Sequence, residues 1–76
     1  MLKRDELANP RSCLNKAADD EPVFVLRGND ILAQDTVLAW AFQAEAMNVH
    51  EPEKIAEARE LAHKIKAWRQ ARELPP

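Results

Sequence analysis

The side chains of this chain best suited to chemistry are one cysteine, two histidines and a run of acids. Cys13 follows Ser12, a residue type that caps helices by accepting an orphan backbone N–H. A thiol there lies near the positive end of a helix dipole, which favours a reactive thiolate. The competing reading is a small buried apolar residue, the usual state of a free cysteine, and it is the better supported. A Cys–His nucleophile would also need a cleft and an oxyanion hole, for which a chain of 76 residues has little material. His50 and His63 stand thirteen apart, without metal-ligand spacing. There is no Gly-rich phosphate loop, Ser/His/Asp set or CxxC. The expectation is a protein that is not an enzyme and takes no cofactor or metal.

Asp19, Asp20, Glu21, Asp30 and Asp35 gather acids within seventeen residues. A calcium site needs six or more oxygens from a shaped loop, and the EF-hand alternation is missing. Each acid instead stands where a helix could begin, so capping is the expected role. "HKIKAWRQAR" interleaves bases with Trp68, a pattern that suits nucleic acid or an acidic partner. Residues 51–76 hold six bases against five acids, however, whereas a phosphate-binding surface is far more lopsided. Glu51, Glu53, Glu57 and Glu60 lead this segment and Lys64, Lys66, Arg69 and Arg72 end it, the order a helix dipole favours. Glu60 and Lys64 form a well-oriented i,i+4 pair. Lys64, Lys66, Arg69 and Arg72 are the contacts a nucleic-acid-binding alternative would use.

These residues need elements to position them. The composition is globular, at 46% hydrophobic and 32% charged with net charge −2, too apolar for a disordered chain. Ala is frequent and Gly28 is the lone glycine, which favours helix. A short charged helix precedes Pro10, and a second follows Ser12, with Leu14, Ala17 and Ala18 on one face. Val23-Phe24-Val25-Leu26 is β-branched enough for a strand, but no other segment offers a ladder. The favoured reading is a short helix over 22–27, with Pro22 in its first turn and Gly28 ending it in the left-handed conformation. A strand would be viable if a second subunit supplied the edge.

Val37, Trp40, Ala41, Ala44 and Met47 share one face of the next segment. Leu38 and Phe42 widen the stripe enough to bury that helix on most sides. In the last segment Ile55, Ala58, Leu61, Ala62, Ile65 and Trp68 form a 3.6-residue stripe behind Pro52. The fold class expected is therefore all-α. A single domain, 1–76, would be a compact bundle of four to five helices, with helices 34–48 and 51–72 an antiparallel pair across the short Val49-His50 connection. The expected core is Leu14, Val23, Phe24, Leu26, Ile31, Leu32, Val37, Trp40, Ala41, Ala44, Ile55, Leu61, Ile65 and Trp68. Truncating Phe24 or Trp40 within it would cost about 3–5 kcal/mol.

The stretch "SCLNKAADDEPVFVLRGND", the Trp40-Ala41 pair and "EPEKIAEARELAHKIKAW" together resemble a family of small uncharacterised proteins of phages and bacterial genomes. The resemblance covers residues 12–68, and "CLNKAADDEPVFVLR" is its most specific piece. A Pro often stands in those relatives where this chain has Gln34, consistent with a helix starting there. The resemblance implies a compact helical protein, phage-encoded, and carries no activity over to any residue.

The function expected is a non-catalytic protein-binding module, a phage or mobile-element adaptor or an inhibitor of a host protein. Its surface would be the corner around Asp20, Glu21, Arg27 and Asp30, with Trp68 as a hot spot. The partner is an unidentified protein, and a homodimer is a further option given the apolar central helix. The opening "MLKRDELANPRS" has no apolar core of signal-peptide length and no window is long and apolar enough to span a bilayer. With a single Cys, this points to the cytoplasm, the host's if the chain is phage-encoded, and away from membranes.

Overall fold

The computed structural model describes residues 1–75; Pro76 lies outside the described residues. Every regular element among them is helical: α1 (Lys3–Ala8), α2 (Cys13–Lys16), α3 (Ala33–Met47) and α4 (Pro52–Ala71). Three helices exceed a single turn, fewer than the four to five expected; α2 is one turn. Helices α3 and α4 pack together, as do α1 and α2. Ala41, Ala44 and Ile55 cluster across the first pair, with Ala58 against them. This places the start of α4 beside the end of α3, so the two run antiparallel.

The helix ends follow from local chemistry. Ser12 caps α2, its hydroxyl accepting the Asn15 N–H at 3.2 Å, as its residue type implied. Asn48 stops α3 in the left-handed conformation, φ 54°, which Asn tolerates better than most residues. Its N–H donates to Glu45 O at 3.2 Å and the Val49 N–H to Ala44 O at 3.3 Å, the paired bonds of a Schellman stop. Pro52 opens α4, where its missing N–H leaves no bond unmade. The amide of Asn15 ties the hairpin of α1 and α2, donating to the carbonyls of Glu6, Leu7 and Asn9 at 3.1, 3.2 and 2.8 Å.

The core departs from expectation in size. Its buried apolar residues are Ala33, Ala41, Ala44, Ile55, Ala62 and Ile65. Alanines on both helices let the backbones approach closely, so the seam is filled by small side chains and two isoleucines. The α4 stripe holds: Ile55, Ala62 and Ile65 are buried, Ala58 and Leu61 half-buried. Val37 and Leu26 are half-buried. Trp40 and Trp68 sit at the margins, 38% and 39% exposed. The other face of α3 is not covered, so Phe42 and Met47 are exposed and Leu38 lies at its edge.

The segment 22–27 is the main correction. It is not a helix, and Val23, Phe24 and Val25 are exposed, Phe24 at 85%. Leu14, Ile31 and Leu32 are also exposed rather than core. Six residues rich in β-branched and aromatic side chains cannot offset helix nucleation without burial. Gly28 is no left-handed stop, since no glycine has positive φ.

Truncation should separate seam from surface. Ile55→Ala is expected to cost about 2–4 kcal/mol, and Phe24→Ala less than about 0.5 kcal/mol, in urea denaturation followed by circular dichroism.

Candidate interaction surface

The corner singled out by sequence is built on one buried cation. Arg69 is 6% exposed. Its Nη1 donates to the carbonyl oxygens of Gly28 and Asn29 at 3.3 and 2.7 Å, and its Nη2 donates to the Pro75 carbonyl. The planar guanidinium suits this task, since it can point several donors at once. Pro75 reaches it because α4 ends in a second Schellman stop. Glu73 takes φ 54°, Glu73 N–H donates to Gln70 O at 3.1 Å and Leu74 N–H to Arg69 O at 3.0 Å. Arg69 therefore cannot serve as an exposed phosphate contact, which corrects the sequence assignment.

Trp68 lies next to this anchor. A Cβ built on Gly28 would sit 3.6 Å from its Cε3. The Arg72 guanidinium carbon is 3.9 Å from a Trp68 ring centroid, a cation–π stack, and Arg72 Nη1 donates to the Trp68 carbonyl at 3.4 Å. Arg27 is exposed and Asp30 half-buried. Asp30 Oδ1 accepts the Leu32 N–H at 2.8 Å, so it shapes the turn into α3 as an Asx residue. Asp20 and Glu21 are exposed at the far end of the 22–27 segment. Glu21 closes a local turn: its N–H donates to Ala18 O at 3.0 Å and its carboxylate accepts the Ala18 N–H at 3.3 Å. The structure thus brings Trp68, Gly28 and Arg69 together, with Arg27 and Asp30 flanking, and leaves Asp20 and Glu21 at the other end of the segment.

Two of the other basic residues of α4 are paired with acids. Lys64 and Lys66 are exposed, and Lys64 pairs with Glu60 at 3.6 Å, as the i,i+4 spacing implied. Arg59 pairs with Glu45 between α4 and α3.

A second surface went unnoticed in the sequence. An open groove of about 700 Å³ runs between the N-terminal hairpin and α4, lined in part by Cys13, Trp40, Lys54 and Glu57. Cys13 is exposed, which corrects the buried reading; α2 is a single turn and has no neighbouring helix beyond α1 to cover it. Lys54 Nζ lies 4.0 Å from its Sγ and 6.0 Å from the Trp40 ring centroid. His50 stacks on Trp40 with centroids 5.0 Å apart. No group of three or more His, Cys, Asp or Glu side chains could hold a metal among the described residues, and no described helix is long and apolar enough to cross a membrane. No family model, curated protein or solved structure matches the chain.

Arg69→Ala is expected to lower stability by about 2–3 kcal/mol, the worth of hydrogen bonds from a charged group, whereas Lys66→Ala should change it by less than about 0.5 kcal/mol. Thermal melts of both variants check this. Gly28→Ala meets only ordinary contact with Trp68 and no positive φ. It should be neutral or stabilise by up to about 1 kcal/mol, through a less flexible unfolded chain; a loss of several degrees in Tm would contradict the placement of Trp68.

Proposed function

We propose that the chain is a non-catalytic protein-binding module, a phage-encoded adaptor or inhibitor of a host protein acting in the cytoplasm. The observation that carries this is the exposure of its large apolar side chains. Phe24 and Phe42 are 85% and 76% exposed, and no large side chain among the described residues is fully buried. Apolar surface of this kind, rimmed by charge, is what partners cover. Phe24 lies between Glu21 and Arg27, within the corner that Arg69 holds in place, so the surface is both apolar and anchored. A nucleic-acid reading loses support, because Arg69 is spent on carbonyls and Arg72 on Trp68.

Affinity capture from bacterial lysate, read by mass spectrometry, tests this. A specific protein should be retained, and Phe24→Asp should weaken its binding at least about tenfold, the effect of losing a modest hot spot of roughly 1.4 kcal/mol. Lys64→Ala with Lys66→Ala should leave capture unchanged. Retention of nucleic acid alone, lost in the lysine variant, would overturn the proposal.

A further inference from the structure

The partner chemistry of this corner can be read from the backbone of residues 22–26. Among the described residues, no hydrogen bond involves the main-chain N–H or C=O of Val23, Phe24, Val25 or Leu26. The segment is not helical, and its side chains at 23, 24 and 25 are exposed. Unpaired main-chain groups beside β-branched and aromatic side chains are the edge onto which another strand adds. The ends of the segment are held, one by the Ala18–Glu21 turn and the other by Arg69 on Gly28 and Asn29.

We infer that the occupant of this edge is a second copy of the same chain, its 22–27 segment paired antiparallel with the first about a twofold axis at Phe24. This rests on the reading of the Phe24 surface as a protein-binding one, and puts a second copy rather than a host protein on it. Three observations favour a second copy. First, charge is self-complementary in this register: Glu21 of each copy faces Arg27 of the other, whereas parallel pairing would set like charges opposite each other. Second, the main-chain groups match. With Phe24 opposite Phe24 as a non-hydrogen-bonded pair, Pro22 also falls at such a position, where its missing N–H points away from the ladder. Val23 and Val25 of the two copies then exchange both bonds. At the outer positions the Glu21 N–H and the Arg27 carbonyl are already engaged within the chain, leaving the Arg27 N–H to donate to the Glu21 carbonyl of the second copy. Third, the chain has surface to spare. It exposes 6420 Å², against about 4,700 Å² expected for a compact monomer of 8.6 kDa. The excess is spread over the whole chain, and Val23, Phe24 and Val25 are part of it.

Multi-angle light scattering and sedimentation on the purified full chain test the inference. Wild type should form a species of twice 8.6 kDa. Arg27→Glu alone, and Glu21→Arg alone, should each raise the dimer dissociation constant about tenfold or more, as opposed cross-strand charges become like charges. The double variant E21R/R27E restores opposite charges across the axis and should recover the dimer in part, since the bond from the Ala18 N–H to the Glu21 carboxylate is lost. Arg27 has no side-chain hydrogen bond or ion pair among the described residues, so its variant should retain wild-type helix content by circular dichroism. A wild type that stays monomeric at high micromolar concentration, or a dimer indifferent to all three variants, overturns the inference. A monomer that nevertheless captures a host protein in a Phe24-dependent manner overturns only the identity of the partner. A monomer that captures nothing overturns the protein-binding reading as well.

Discussion

The arrangement of this molecule depends on a guanidinium placed where an apolar residue would be expected. Arg69 occupies the buried face of α4, and among the described residues no carboxylate pairs with it. Its acceptors are main-chain carbonyls from the turn before α3 and from the tail after α4. Burying a charge is costly unless its donors are satisfied, and here several carbonyls satisfy them while the aliphatic stem fills space along the seam. The same carbonyls would otherwise need water or another donor. One side chain thereby fastens two irregular segments to a regular one. It also holds the 28–29 turn against Trp68 from outside, beside the turn's own bond from the Asp30 N–H to the Arg27 carbonyl at 3.0 Å.

A second constraint is the narrowness of the seam. With Ala33, Ala41, Ala44 and Ala62 buried and only Ile55 and Ile65 as larger fillers, the α3–α4 pair removes little apolar area per residue. At about 25 cal/mol per Å², such a seam leaves a small margin over chain entropy, as expected for a domain of this length. Polar devices supplement it: the Asn15 amide on the α1 carbonyls, the two Schellman stops, the Arg59–Glu45 pair between helices, and Arg69. The large apolar side chains are left outside.

Much of the helical frame was legible in the sequence. The α4 stripe at Ile55, Ala62 and Ile65, the start of α4 at Pro52, the cap at Ser12 and the Glu60–Lys64 pair follow from spacing and residue type. What was not legible has a common cause. Periodicity identifies a face but not what covers it. Phe42 and Leu38 extend an apolar stripe on α3, and nothing local says that only one helix packs there. Arg69 shows the converse. It lies fourteen residues after Ile55 and so shares the phase of Ile55, Ala62 and Ile65, but its charge suggests solvent. The periodic position was the available signal; the carbonyls that satisfy it come from residues about forty positions away and from the chain end, which no local pattern contains. Phe24 was misplaced for a related reason. Its helical assignment assumed that an apolar run must be buried within its own chain.

That assumption bears on how the open segment can work. A free apolar tail that orders on binding loses backbone freedom at each residue, and this loss is subtracted from its affinity. Residues 22–27 are not a free tail. The Glu21 turn fixes one end, Arg69 fixes the other through Gly28 and Asn29, and Pro22 restricts both its own φ and the conformation of Glu21. Much of the ordering has therefore occurred during folding and is sustained by the buried cation. Loosening Arg69 would leave Val23, Phe24 and Val25 chemically unchanged but restore their freedom, so the anchor and the exposed apolar run act as one device: the first holds open the surface that the second presents.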